Sequence, residues 1–328
     1  MSTCGSTIVG TGLGNPKRIV TNDDLAKFVE TSDEWIRTRT GIGQRRFIDL
    51  ENGQTLTDIC IEGASQALKM SGLDPLDISF VLCCTATPEE IMPIEAARIK
   101  DALGLERAAC LDVNAACSGF LYGLHLADAL IKSGAHKHVL VVGGDVFQRI
   151  LNWDDRGTCV LFGDGAGAAM VSLTEVNDTK KDSHIIGSRV YAALDRERNL
   201  SVTKKDPENP GKQQVLTMNG REVFKWATKC MAQACGDIMK EHNVTSEDIA
   251  WIVPHQANIR IIEKVGEFLN FSMDKVYINV DRWGNTSAGT IPICLAEMNE
   301  KGLLKKGQLV LVTSFGGGFT WGSLLIRW

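Results

Sequence analysis

An α/β fold made of two similar halves is predicted by three recurring features of this 328-residue chain. Asp77–Cys84 (DISFVLCC) lines up with Asp248–His255 (DIAWIVPH) at an offset of 171 residues. The apolar segment ending at Val113, with its loop to Cys117, matches Val280 and its loop to Asn285 at an offset of 168. Val139–Gly144 (VLVVGG) matches Leu309–Ser314 (LVLVTS) at an offset of 170. Helical patterns lie between these short apolar runs, and such alternation places helices over both faces of a largely parallel sheet.

Each half reads in the same order: helix, buried strand, loop, strand, a chemically distinctive residue, helix, strand and a Gly-rich hairpin. In the first half Leu111–Val113 ends a strand, and apolar residues recur at helical spacing from Phe120 to Ile131. Cys117 is therefore expected at or near a helix N-terminus. Unpaired backbone N–H groups and the positive end of the helix dipole there favour a thiolate. A buried core thiol remains the plain alternative for a lone cysteine. In the second half His255 follows a strand and precedes the helical pattern Ile259, Ile262, Val265, while Asn285 lies in the turn WGNTSAG. Each also fits a helix-capping role. The closing hairpins are Phe162–Ala169 (FGDGAGAA) and Phe315–Gly322 (FGGGFTWG). Polar stretches 175–183 and 195–212 look least ordered and place the boundary near Asp178, giving halves 1–178, with Cys117, and 179–328, with His255 and Asn285. Gly10-Thr-Gly-Leu-Gly14 lacks the full dinucleotide fingerprint and reads as a strand-end turn.

Composition is that of a globular protein, with 44% hydrophobic residues and enough chain to bury a large core. A formal charge of -5 argues against general nucleic-acid binding. Ten cysteines are scattered through apolar segments without paired C-x-x-C units, so they read as reduced core thiols rather than a zinc site or disulfide scaffold. The first thirteen residues lack a signal-peptide pattern and no apolar run reaches membrane-spanning length. The expectation is a cytoplasmic protein with no membrane insertion, no metal and no redox cofactor.

The ordered set of Cys117, His255-Gln-Ala-Asn258, Gly284-Asn-Thr-Ser-Ala-Gly289 and Gly316-Gly-Gly318 resembles the thiolase-superfamily condensing enzymes, specifically beta-ketoacyl-acyl carrier protein synthase III. Thr31-Ser-Asp-Glu-Trp-Ile-Arg-Thr-Arg-Thr-Gly-Ile42 extends the resemblance toward the N-terminus, so it covers nearly the whole chain. It implies a thiolase-like, layered αβαβα architecture with two mixed sheets. It also implies a catalytic triad of Cys117, His255 and Asn285. Cys117 would take an acyl group from a short acyl-CoA, with acetyl-CoA the expected primer. His255 and Asn285 would stabilise the enolate formed when malonyl-acyl carrier protein loses carbon dioxide, and the backbone N–H groups of Cys117 and Gly317 would form a second oxyanion site. Acyl-CoA is then a substrate, and no cofactor is needed.

By the same resemblance Trp35 and Arg156 would sandwich the CoA adenine. Thr31 and Arg39 would lie near the nucleotide, and Gly220 and Phe224 would line the tunnel. Met92 falls where a residue of the partner subunit closes the primer pocket, which implies a homodimer. Arg221, Lys225 and Lys229 share a helical face, and Arg260 with Lys264 forms a second basic pair. Arg221, Lys225 and Arg260 are candidates for docking the acidic carrier protein, although a solvated basic face explains each equally well. Two other functions share these residues: a condensing enzyme of secondary metabolism with another primer or a CoA-bound extender, and a Cys-dependent acyltransferase or thioesterase. Asn285 argues against the last, because hydrolysis needs no enolate site.

Overall fold

The structure is a computed structural model that describes residues 3–202 and 215–328. In the first half the elements are β1 (Thr3–Gly14), β2 (Arg18–Thr21), α1 (Asn22–Leu25), α2 (Asp33–Thr40), β3 (Gln44–Phe47), α3 (Leu56–Ser71), β4 (Phe80–Cys84), α4 (Glu95–Ala102), β5 (Ala109–Val113), α5 (Gly119–Lys132), β6 (His138–Asp145) and β7 (Gly165–Val176). The second half contributes β8 (His184–Ala192), β9 (Leu200–Val202), β10 (Leu216–Met218), α6 (Gly220–Glu241), β11 (Ile249–Pro254), α7 (Ile259–Phe268), α8 (Val280–Trp283), α9 (Thr290–Glu300), β12 (Leu309–Gly316) and β13 (Thr320–Arg327).

Two mixed sheets carry the fold. The first runs β1-β7-β6-β4-β5, with β4 parallel to β5 and β6, and β7 antiparallel to β1 and β6. The second runs β11-β12-β13-β8, with β11 parallel to β12 and β13 antiparallel to both its neighbours. Order and sense therefore repeat from one sheet to the other. The counterpart of β5 is reduced to a single bridge between Ile252 and Val276. Helices α3 and α4 cover the outside of the first sheet, and α6 covers the second, with α7 packed beside it and Ile262 in the same core cluster as Ile252 and Leu311. Between the sheets lie α5 and α9. Every residue from Thr290 to Met298 of α9 is buried, as a helix walled in on all sides requires. The result is the five-layer αβαβα arrangement.

Local chemistry explains where α3 begins and why it lies so close to the sheet. Thr55 and Asp58 form a capping box, and Gly72 ends the helix in the left-handed conformation. A Cβ at Gly10, Gly12 or Gly14 would overlap the carbonyl oxygens of Ala67, Gly63 and Ile59. The glycine run is thus a seam within β1 on which α3 rests, not a strand-end turn.

The repeat register also needs correction. Val280 opens a short helix rather than ending a strand, and the offset of 168 misaligns the turns. Strands His138–Asp145 and Leu309–Gly316 match at 171, as do the single-turn helices Ala116–Ser118 and Ser287–Gly289. Asn285 is accordingly the counterpart of Asn114, not of Cys117. Both asparagines make the same turn, their side-chain oxygens accepting the N–H two residues on at 3.2 Å from Ala116 and 2.9 Å from Ser287. The polar stretch 175–183 is structured after all: β7 runs to Val176, and Asp182 accepts the N–H groups of Asn177 and Asp178. Of the stretch 195–212, residues 203–212 lie outside the described residues.

Candidate active site

Cys117, His255 and Asn285 line one cavity of about 330 Å³, together with Gly220, Phe224 and Gly317. Its walls are otherwise mainly apolar, from side chains such as Leu200, Met218, Val223 and Phe315.

Cys117 sits in the single turn that leads into α5. Ala116 before it has φ +47, a left-handed conformation that costs a residue with a Cβ about 1–2 kcal/mol. The turn is pinned to the second half: Ser314 donates to the Cys117 carbonyl at 3.0 Å, and Thr320 donates to the Ala115 carbonyl at 2.7 Å. Gly316 lies against the nucleophile, where a Cβ would sit 2.7 Å from the Cys117 nitrogen. At Gly317 the nearest atom to such a Cβ, the Leu200 carbonyl oxygen, is 3.4 Å away. Within the hairpin it is Gly316 whose backbone is packed tightly against the Cys117 turn.

Desolvation opposes the thiolate expected at this turn. Burial pushes the Cys117 thiol up to about 12, against the pull of the Ser287 hydroxyl, and the charge of buried Asp145 adds to the upward shift. The second half covers the turn, so desolvation outweighs the helix terminus. Ser287 donates to Sγ at 3.3 Å and is itself held at φ +51.

His255 extends from the end of β11, its N–H donating to the Thr313 carbonyl at 2.8 Å. Its Nδ1 lies 2.7 Å from Thr290 Oγ1. Burial pushes its pKa down to about 3, so the ring is neutral near pH 7. It does not cap α7, whose first N–H groups donate to Asn258 Oδ1. Asn285 is likewise no helix cap, since α9 begins at Thr290. Because Oδ1 accepts from Ser287, Nδ2 is the end left to donate into the cavity. Its backbone pairs with the first hairpin, through Leu161 at 2.9 Å and Gly163 at 3.0 Å. Beneath it Glu297 accepts from Tyr277, Asn279, Arg282 and Trp283, fixing the segment that delivers Asn285.

Trp35, Arg39 and Arg156 gather at the surface. The guanidinium carbons of Arg39 and Arg156 lie 4.5 and 5.1 Å from the centre of the Trp35 ring. Arg156 also donates to the Glu30 carbonyl at 2.9 Å, and the buried Thr31 hydroxyl has no hydrogen-bond partner among the described residues. Arg260 donates to the Thr38 carbonyl of α2 at 2.9 Å, so it borders this cluster. Its expected companion Lys264 is paired with Glu267 at 2.8 Å. Arg221, Lys225 and Lys229 are exposed on α6, with Lys225 bonded to Glu222 at 2.6 Å. Met92 is 81% exposed and stands apart from the cavity of its own chain.

Sequence reasoning missed Ser287, Thr290, Ser314, Gly316 and Thr320. Ser287 was visible inside GNTSAG, but nothing marked it as the residue facing Cys117. Cys83 and Cys84 end β4 in the core, and all ten cysteines are free. Among the described residues no cluster of three or more His, Cys, Asp or Glu could hold a metal ion, and no helix is long and apolar enough to cross a membrane.

Residues 111–193 match the family model of 3-oxoacyl-[acyl-carrier-protein] synthase III, and residues 239–328 match that of its C-terminal part. The beta-ketoacyl-[acyl-carrier-protein] synthase III of Clostridium acetobutylicum is 43% identical, with 98% of each chain aligned. The chain belongs to this family. It is thus a condensing enzyme of the acyltransferase class. The synthase III of Aquifex aeolicus is 41% identical over 99% of this chain and 100% of the relative. A crystal structure of the Aquifex synthase superposes with a TM-score of 0.91, covering 99% of this chain and 100% of that one at 40% identity. The priming β-ketosynthase of the R1128 polyketide pathway also gives a TM-score of 0.91, covering 98% of this chain and 96% of that one at 29% identity.

Proposed function

We propose that this enzyme starts fatty acid synthesis by condensing a short acyl-CoA, acetyl-CoA in the first instance, with malonyl-acyl carrier protein to give a 3-ketoacyl product, CoA and carbon dioxide. The observation that carries the reading is the meeting of Cys117, His255 and Asn285 in one apolar cavity. Residues 1–178 supply the nucleophile and residues 179–328 the other two.

In the first step the Cys117 sulfur attacks the acyl-CoA thioester as its thiol proton is lost, and the departing CoA sulfur takes up that proton. The tetrahedral oxyanion is held by the backbone N–H groups of Cys117 and Gly317, and collapse releases CoA. Trp35 and Arg156 stack on the adenine, with Arg39 and Thr31 beside the nucleotide. An aromatic layer between Trp35 and Arg156 needs about 7 Å, two contacts of roughly 3.5 Å, so Arg156 must draw back from its 5.1 Å position. Gly220 and Phe224 then face the arm that enters the cavity.

In the second step malonyl-acyl carrier protein loses carbon dioxide. The resulting enolate oxygen takes hydrogen bonds from Asn285 Nδ2 and His255 Nε2, and its carbon attacks the acyl-Cys117 carbonyl; collapse of the adduct breaks the carbon–sulfur bond, releases the 3-ketoacyl-acyl carrier protein, and the Cys117 sulfur regains a proton from water. In this reading the Thr290 hydroxyl donates to Nδ1, which puts the single proton of the neutral ring on Nε2, so His255 donates without adding a charge to the apolar cavity. The chemistry requires neither metal nor redox cofactor. Arg221, Lys225 and Arg260 receive the acidic carrier. Exposed Met92 reaches the primer end of a second copy's cavity, making the working form a homodimer, and the place of action is the cytoplasm.

The test is product analysis with acetyl-CoA and malonyl-acyl carrier protein. Acetoacetyl-acyl carrier protein is expected, and Asn285→Ala should cut its formation roughly 100- to 1000-fold while leaving Cys117 acylation intact. Free acetate as the main product would contradict the reading. The likeness to a priming polyketide ketosynthase keeps a second reading in view, a longer or branched primer in secondary metabolism, which the same assay with other acyl-CoAs resolves.

A further inference from the structure

Trp226 stands out on the surface of α6, a helix whose other face forms a wall of the cavity through Gly220, Val223, Phe224 and Ala227. A large indole gains by burial, yet this one is 41% exposed. It is also held in place. Its ring lies 5.5 Å from that of Phe319, which in turn lies 4.9 Å from Phe315 on the cavity wall. Around it on the same exposed turns are three cations, Arg221, Lys225 and Lys229, against one carboxylate, Glu222. A fixed aromatic ring rimmed by positive charge has the composition of a binding hot spot, with an apolar centre and a polar border.

We propose that Trp226 is the apolar anchor of the surface that docks the acyl carrier protein. This rests on the reading of that protein as the second substrate. The partner's acidic residues meet Arg221, Lys225 and Lys229, while an apolar side chain of the carrier covers the indole. The tilted contact with Phe319, at 42° between ring planes, holds the indole and leaves it less rotational freedom to lose on binding, which favours affinity. The placement suits delivery, since a helix with its side chains is about 10 Å across. A carrier seated on the outer face of α6 therefore lies one helix thickness from the cavity that its prosthetic arm must reach.

The experiment compares malonyl-acyl carrier protein with malonyl-pantetheine, which carries the same reacting thioester without the protein. Trp226→Ala should raise KM for malonyl-acyl carrier protein about 30-fold or more, the loss expected of a hot spot, and Trp226→Phe should fall between the parent enzyme and Trp226→Ala. Condensation with malonyl-pantetheine should stay within about twofold of the parent enzyme, as should the thermal midpoint. An unchanged KM for the carrier substrate in Trp226→Ala and in the charge-introducing Trp226→Glu would overturn the proposal. So would an equal loss with malonyl-pantetheine, which would place the effect in the hairpin beside Phe319. If the parent enzyme turned over malonyl-pantetheine or malonyl-CoA but ignored the carrier substrate, the carrier reading itself would fail.

Discussion

Alkylation of Cys117 across pH tests how the site holds its nucleophile. The perturbation is pH itself, followed by Ser287→Ala. A thiol pushed up to about 12 is about 10⁻⁵ ionised at pH 7, whereas an ordinary cysteine near 8.5 is about 3% ionised. Reaction with iodoacetamide at pH 7 should therefore be on the order of 10³-fold slower than for a free thiol. Its rate should rise about tenfold per pH unit from 6 to 10 without levelling. The Ser287 hydroxyl is the side-chain donor that opposes burial, at 3.3 Å from Sγ. A hydrogen bond to a charged group contributes about 1.5–3 kcal/mol, so Ser287→Ala should slow alkylation about 10- to 100-fold more at each pH. The assay is the second-order rate of mass gain on the Cys117 peptide, with Cys117→Ala setting the background. A plateau with its midpoint at or below pH 8 would refute the reasoning, because it would mean that the turn's N–H groups outweigh desolvation.

Gly316→Ala should slow acylation by acetyl-CoA on the order of 100-fold, since a Cβ there meets the backbone nitrogens of Cys117 at 2.7 Å and Ser118 at 3.0 Å and must displace the nucleophile. Gly317→Ala should cost less than about tenfold, and rapid-quench acylation rates compare the two. Glu297 is pushed up by burial, but the hydrogen bonds from Arg282, Trp283 and Asn279 prevail and hold it down at about 2. Its contribution to stability is thus present above its usual value of 4.5 and is lost as pH falls from there toward 2. Glu297→Gln should flatten that part of the stability profile measured by urea titration. At pH 7 it should cost about 1–2 kcal/mol, because hydrogen bonds to the Glu297 carboxylate are lost while Arg282 stays partly exposed and near Asp281.

Much of the fold was legible because parallel strands between helices are continuous apolar runs, as VLVVGG and LVLVTS are. The register between the halves was not. The strand equivalent to β5 has shrunk to the Val276 bridge, so the apolar signal that should have aligned the two turns is missing. Asn285 was found for its chemistry but given the wrong counterpart. Cys117 was located from the strand and helix flanking it, but the burial that opposes its ionisation was not legible, because the helix terminus is local and the burying cover comes from residues about 170–200 positions away, as the contacts from Ser287 and Ser314 show. Ser314 and Thr313 sit in β12 like any strand residue in sequence. Only the packing of that strand against the Cys117 turn and the His255 backbone gives them their roles.

The most direct measurement is the intact mass of the protein after acetyl-CoA, and again after malonyl-acyl carrier protein is added, with Cys117→Ala beside it. An acetyl adduct that depends on Cys117 and disappears as acetoacetyl-acyl carrier protein forms is the expected result. An adduct that persists on the variant, or one released only as free acetate, would contradict condensation through Cys117.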